Sequence, residues 1–223
     1  VLEVMEFPDN EIGSEDIKIK NYASAVNPTD IVSRSGLIKH FIKDFSLPCV
    51  PGMDFAGIVE EVGENVKTGI KVGDSVMGMV MPNGIHGAYS DRLILNQFAV
   101  VKIPKNTSFI EAATLPMNGL TARLSLDLLN LKKGQTIAVT GGPGAYGGYV
   151  IQLAKADGLI VIADSNESDL KLLKDLGADH IIPRGKNFVE EIRGIFPKGV
   201  DGIADGALLN EDAIGAVKDN GSF

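Results

Sequence analysis

The chain has 223 residues, with 44% hydrophobic and 22% charged residues and a formal net charge of −8. That length and composition suit one large or two modest globular domains with a real core. The acidic balance argues against nucleic acid and anionic membranes as partners. A single cysteine, Cys49, excludes an internal disulfide framework and a cysteine-built zinc site. There is no apolar run of membrane-spanning length and no secretory leader at Val1, so a reducing cytoplasm is the expected compartment.

The first hundred residues read as β-rich. "VLEVMEF" and "EDIKIKNYASAV" alternate, and "FAGIVEEVG", "DSVMGMVM" and "GAYSDRLILN" are short strand-like runs broken by Gly, Pro and Asn. Such runs suit a small barrel or sandwich. One helix interrupts them at "NPTDIVSRSG". Asn27 is its expected N-cap, Pro28 its first helical residue and Asp30 the return partner of a capping box.

From about Pro104 the pattern changes. "SFIEAATLP", with Ser108 and Glu111 as a capping box, and "MNGLTARLSLDLLNL" read as helices, the second with Asn118 as a candidate start. Strand and helix then alternate. "QTIAVT" and "LIVIAD" are buried strands, "DHII" a third and "GVDGIADGA" a fourth. The helices between and after them are "AYGGYVIQLAKA", "NESDLKLLKDLGA", "KNFVEEIRGIF" and "NEDAIGAVKDNG". Tyr146, Val150, Leu153 and Ala154 share a face of the first. Asn166 with Asp169 is the expected cap of the second, and Gly177 its stop. This alternation predicts βαβ units around a parallel sheet. The fourth strand is expected to stand at a sheet edge.

"VTGGPGAYGG" carries the clearest chemistry. Gly142, Gly144 and Gly147 fit G-x-G-x-x-G between a predicted strand and a predicted helix. In that setting the glycines allow a tight turn, close approach of a pyrophosphate, and close helix–strand packing. The helix start offers N–H groups and a positive dipole end. A P-loop is excluded, because Gly148 and Tyr149 stand where Lys and Ser or Thr are needed. A tight turn that binds nothing is the competing reading. Asp164 tips the balance. It ends the second strand about 20 residues on, where an acid hydrogen-bonds an adenosine ribose. By charge it favours NADH over NADPH.

These segments resemble the medium-chain dehydrogenase/reductase superfamily, and within it the zinc-free quinone oxidoreductases that include zeta-crystallin. The carriers are "ASAVNPTDIVSRSG", "PGMDFAGIVEEVG", "VGDSVMG", "GAYSDR", "AATLPMNGLTA", "VTGGPGAYGG" and "KLLKDLGADHII". The resemblance implies a GroES-like domain over residues 1–105, its first strand clipped. It also implies a partial Rossmann domain over residues 106–223, with the active site in the cleft between them. It implies hydride transfer from NAD(P)H to a quinone or an α,β-unsaturated carbonyl. Asn27, Asp30 and Thr121 would be catalytic. Pro28, Thr121, Gly142, Gly144, Ala145, Tyr146, Gly147, Asp164, Ser165 and Arg184 would hold the cofactor.

For Asn27 and Asp30 a capping role stands beside the chemical one, and Thr121 is equally a plain helix residue. Tyr146 reads first as a packed ring and second as a phenol beside the pyrophosphate. Tyr89 reads as a core or interface residue. Zinc-dependent members of the superfamily place a cysteine where Asn27 stands and His-Glu where Met53 and Asp54 stand. No metal is expected, and His40, His86 and His180 read as solvent or packing residues. NADPH-using relatives have a small residue where Asp164 stands and often a tyrosine where Pro183 stands, while Arg184 is retained. NAD(P)H is therefore the cofactor expected, with Asp164 leaning to NADH and family habit to NADPH. The chain looks clipped at both ends, with the nicotinamide side incomplete and a homodimer expected only of a longer form. A dinucleotide-binding protein without turnover is the alternative reading.

Overall fold

The structure is a computed structural model and describes residues 2–8, 11–37, 48–82 and 84–223. His40 lies outside them. The chain divides into two compact units, Val1–Met117 and Asn118–Phe223.

The first unit is built on an antiparallel five-stranded sheet. Its strands are β1 (Asp16–Ala23), β2 (Asp54–Val62), β3 (Ser75–Met79), β4 (Arg92–Asn96) and β5 (Val100–Lys102), in the order β4-β1-β2-β3-β5. Alternation in β1 turns Ile17 and Ile19 inward, where they meet Phe55, Val59, Val76, Leu93 and Val100. Breaks in the β1–β2 register at Lys18/Ile19 and Asn21/Ala23 bend the pair.

Two short helices flank this sheet. In α1 (Pro28–Arg34) the Asp30 carboxylate accepts from the Asn27 N–H at 2.8 Å, the return limb of the expected capping box. In α2 (Phe109–Ala112) the Ser108 hydroxyl accepts from the Glu111 N–H, and the Glu111 carboxylate accepts from the Ser108 N–H at 2.9 Å. "VLEVMEF" departs from expectation: residues 2–8 form no strand, and Val4 is fully exposed. Alternation shows that a segment suits a sheet face, but a strand also needs a partner for its ladder.

The second unit is a five-stranded parallel sheet. Its strands are β6 (Thr136–Thr140), β7 (Ile160–Ser165), β8 (His180–Pro183), β9 (Val200–Asp205) and β10 (Val217–Ser222), in the order β10-β9-β6-β7-β8. β6 is buried along its whole length, which explains its continuous apolar run. Its side chains alternate between two cores. Ile137 and Val139 join Val150, Ile151 and Ala154 of α4 (Ala145–Ala156) and Ala122, Leu126 and Leu129 of α3 (Pro116–Leu129). Ala138 joins Phe188 and Ile192 of α6 (Phe188–Ile195), together with Ile162 and Ile203. Each fully buried aliphatic side chain contributes about 1.5–3 kcal/mol.

Four expectations are corrected in this unit. Asn166 and Asp169 do not close a capping box. Residues Glu167–Asp169 form a 3-10 turn, and α5 (Leu170–Leu176) starts after it with no side-chain cap. Its stop at Gly177 is as expected, in the left-handed conformation with φ 102°. "NEDAIGAVKDNG" is not one helix: α7 (Glu211–Ile214) ends after a turn, and β10 follows. Gly215 weakens helix propagation, and β-branched Val217 suits a strand. The fourth strand is consequently no edge, since β9 lies between β6 and β10. Asn118 is likewise not a helix start, because α3 begins at Pro116.

Candidate functional site

The strand order reverses between β6 and β9, so the second unit has its topological switch point at the carboxyl ends of these strands. The glycine turn sits there. After Thr140 the chain turns at Gly141, which takes φ 67°, and the Gly144 N–H donates to the Gly141 carbonyl at 2.9 Å. The left-handed residue of the turn is thus Gly141, one place before the first glycine of the motif. Gly142 is buried against β7, where an added Cβ would lie 3.0 Å from the Ala163 Cβ. At Gly147 an added Cβ would lie 2.3 Å from the Gly141 carbonyl oxygen, so only glycine lets α4 pack this closely on the turn. Gly144 and Ala145 are exposed. The first-turn N–H groups of α4 lack intrahelical acceptors by helix geometry.

Tyr146 packs against the core, and its phenol donates to the Ser125 hydroxyl at 2.8 Å, in keeping with the packing reading. Asp164 and Ser165 end β7 and are both buried. The Asp164 carboxylate accepts from the Gly141 N–H at 2.7 Å and the Gly142 N–H at 3.2 Å through Oδ1, and from Arg184 Nε at 3.2 Å through Oδ2. The Ser165 hydroxyl donates to the Asn166 carbonyl at 2.7 Å, and the Ser165 carbonyl accepts from the Arg184 N–H. Arg184 also lines an open cleft of about 270 Å³ with Pro183, Gly185, Lys186, Asn187 and Glu191.

The residues Thr140 and Asp205 were not picked out from the sequence. The Thr140 hydroxyl donates to Asp205 Oδ1 at 2.5 Å and accepts from the Ala207 N–H. Asp205 Oδ2 accepts from the Asn210 N–H at 2.8 Å. Burial works to raise the Asp205 carboxyl, but the bonds from Thr140 and from the Asn210, Leu209 and Ala207 backbone outweigh it and hold the group below the usual aspartate range. These bonds brace a loop in which Leu208 and Asn210 both take positive φ. The available signal was position: Asp205 ends a strand beside the switch point.

In the first unit, Asn27, Asp30 and Asp54 come together as buried polar groups, 3%, 6% and 0% exposed. Asn27 Nδ2 donates to Asp54 Oδ2 at 2.7 Å, and the Met117 N–H donates to Asp54 Oδ1 at 2.7 Å. The Tyr89 phenol donates to Asp30 Oδ2 at 3.2 Å. Burial raises the Asp54 carboxyl above its ordinary value, the bonds from Asn27 and Met117 oppose the rise, and the charge of Asp30 adds to it. Burial, then the Asp30 charge, push Tyr89 up to about 12. Pro28 is exposed at the start of α1. Thr121 is exposed on α3, where its carbonyl accepts from the Ser125 hydroxyl at 2.9 Å.

Around the position the resemblance gives to a metal, the Thr29 hydroxyl contacts the Met53 and Met117 thioethers at 3.3 and 3.5 Å. No group of three or more His, Cys, Asp and Glu side chains stands together among the described residues. His86 is exposed, and His180 packs edge-on against Phe196.

Comparison with known proteins agrees with both units. Residues 13–105 match the alcohol dehydrogenase GroES-like domain family, and residues 145–223 match the zinc-binding dehydrogenase family. The chain is 37% identical over 219 residues to 2-methylene-furan-3-one reductase of Solanum lycopersicum, covering 95% of this chain and 55% of that protein. It is 33% identical over 218 residues to the chloroplastic NADPH-dependent alkenal/one oxidoreductase of Arabidopsis thaliana, with the same coverage. A solved alcohol dehydrogenase superfamily protein from Novosphingobium aromaticivorans superposes with a TM-score of 0.89 at 29% identity, covering 98% of this chain and 67% of that one. The chain belongs to the medium-chain dehydrogenase/reductase superfamily, with a GroES-like domain and a Rossmann-type domain. Its relatives there carry the names of quinone oxidoreductases and alkenal reductases. It spans about half the length of the curated relatives it matches. No helix among the described residues is long and apolar enough to cross a membrane.

Proposed function

We propose that this chain belongs to a zinc-independent reductase that uses a reduced nicotinamide dinucleotide to reduce a quinone or an α,β-unsaturated carbonyl. The observation that carries the reading is the glycine turn at the switch point. Gly147 is packed where a Cβ would collide and Gly142 and Gly144 where one would be tight, while Gly144 and Ala145 are exposed at the start of α4. That is a cradle suited to a pyrophosphate, with unshared N–H groups and a positive helix end. The names of the relatives supply the acceptor class.

When bound, the reduced nicotinamide supplies the hydride. The chain's own residues bind and orient. Gly142, Gly144, Ala145 and Gly147 shape the pyrophosphate seat, with Tyr146 as packing. Ser165, the last residue of β7, and Arg184, the first after β8, stand at the adenosine side. In this reading residues 1–105 form the substrate-side domain and residues 106–223 the dinucleotide-binding part. Asn27 and Asp30 are the polar groups of the first, with Pro28 beside them, and Thr121 on α3 is the catalytic candidate of the second. Asp54 fixes the Asn27 amide by accepting from its Nδ2. The Asn27, Met53 and Asp54 side chains are a poor set for zinc, which is held by thiolate, imidazole and carboxylate ligands, because only the Asp54 carboxylate is of these types. Rate therefore comes from orientation of donor and acceptor.

The test is a titration of the purified chain with NADPH and NADH, followed by dinucleotide oxidation with a quinone and an enone, with and without a chelator. Binding of a dinucleotide and chelator-insensitive oxidation with one acceptor class are expected. Binding of neither dinucleotide would sink the proposal.

A further inference from the structure

Methionine is a flexible side chain whose sulfur accepts hydrogen bonds only weakly. Met53 and Met117 are nonetheless held in place. The Met53 carbonyl accepts from the Val80 N–H at 2.8 Å, and the Met117 N–H donates to Asp54 Oδ1 at 2.7 Å. Their sulfurs converge on one donor, the Thr29 hydroxyl, at 3.3 and 3.5 Å. Met53 comes from the residue before β2 and Met117 from the first turn of α3, so the fold brings them together.

The neighbours of this pair give it consequence. Met53 directly precedes Asp54, whose carboxylate is held by the Met117 N–H on one oxygen and by Asn27 Nδ2 on the other. Thr29 stands in the first turn of α1 between Asn27 and Asp30. The Asp30 carboxylate accepts from the Asn27 N–H and from the Tyr89 phenol. A hydroxyl carries one proton, so the two sulfurs compete for it. Thr29 is exposed and both methionines are half-buried, within reach of a small solute.

A hydroperoxide oxidises such a sulfur by two electrons. The peroxide O–O bond breaks, an S–O bond forms, and the second oxygen leaves in water or an alcohol. The sulfoxide oxygen is a far stronger acceptor than the thioether it replaces. Formed on either methionine, it captures the Thr29 proton and drives the other sulfur away.

We infer that Met53 and Met117 form an oxidant-sensitive pair. Conversion to the sulfoxide is transmitted through Thr29 to the start of α1, and so to the buried network of Asn27, Asp30 and Asp54. The change is reversible by methionine sulfoxide reductases, one for each sulfoxide epimer. It stands apart from the dinucleotide reading, because no cofactor enters it.

Hydrogen peroxide titration of the intact chain, with isotope-labelled methionine methyl groups, tests it. The six methionines report separately. Exposed Met5 and Met81 convert first and leave the Asn27 and Asp30 amide signals in place. Met53 and Met117 follow, ahead of Met77 and Met79 on β3. With them the Asn27 and Asp30 signals shift, and exchange of the Asn27 N–H quickens by about tenfold, the scale of one lost hydrogen bond. The reductases restore both readouts. In the double variant Met53→Leu with Met117→Leu, an exchange of similar volume, peroxide still converts Met5 and Met81 but moves neither readout. Thr29→Val leaves the pair oxidisable and breaks its link to Asn27. An equal response in the double variant overturns the inference. So does a pair that stays reduced after Met77 and Met79 have converted, or one that converts without moving Asn27. Should the double variant fail to fold, the order of conversion and the Asn27 exchange in the native chain decide the matter alone.

Discussion

Asp201 gives the strongest pH-linked prediction. It stands near the start of β9 and accepts from Gln135 Nε2 at 2.9 Å, from the Thr136 N–H and hydroxyl at 2.7 Å each, and from Lys218 Nζ. These donors tie the starts of β6 and β10 to β9. Burial works to raise the carboxyl, but the bonds from Lys218, Thr136 and Gln135 outweigh it and pull the group down to about 2. Against an ordinary aspartate near 3.9, that difference is worth about 2.6 kcal/mol at neutral pH before screening. The Lys218 side chain is 39% exposed, so screening trims its share and about 1–2 kcal/mol is the fair expectation. A carboxyl whose folded value is depressed stabilises above its unfolded value and loses that contribution as it becomes protonated. The contribution is therefore complete above about pH 5 and falls to under half by about pH 2.5. Urea unfolding of native protein and Asp201→Asn at several pH values, at fixed ionic strength, measures it. The difference between the two cancels the other titrating carboxylates. Hydrogen exchange at Val200–Gly202 localises the loss to β9. An Asp201→Asn cost that is the same at neutral pH and at about pH 2.5 would refute the linkage.

Two further predictions concern the candidate site. Gly147→Ala drives a Cβ to 2.3 Å from the Gly141 carbonyl oxygen, so it costs about 1–3 kcal/mol in a thermal melt and abolishes dinucleotide binding; Gly148→Ala, whose Cβ would meet Leu176 at 3.5 Å, leaves both near native. Asn27→Ala removes a donor from buried Asp54 and costs about 1–3 kcal/mol by urea unfolding. Burial already raises the Asp54 carboxyl, so the stability it offers is present at low pH and lost as pH rises through its folded value; the Asn27→Ala cost is accordingly larger at neutral pH than in acid.

The parallel strands were legible because burial on both faces writes itself as a continuous apolar run, as in "TIAVT" and "IVIADS". Capping was legible where the local chain alone decides it, as at Ser108 and Glu111. The same spacing at Asn166 and Asp169 misled, because a 3-10 turn intervenes before α5 and changes which N–H groups the side chains meet. β10 was hidden because "AVKDNGS" takes its strand form from pairing with β9, a contact no local pattern encodes. Among candidate site residues, Asn27 and Asp30 were named by the family resemblance, and their spacing separately announced the capping box. The companion that buries them in one network, Asp54, needed the fold: it lies on β2, far along the chain.

Asp164 shows why residue type is a weak guide to a residue's role in a site. A strand-end acid and an arginine twenty positions later read as two opposed arguments about cofactor choice. In the fold they are one ion pair whose carboxylate also closes the glycine turn. The same holds for Asn27, whose amide donates to Asp54 before it meets any ligand. Side chains satisfied in this way hold geometry, and a ligand then pays less to order them. In the proposed site the groups suited to a pyrophosphate are the N–H groups at the start of α4, which no motif of acids names.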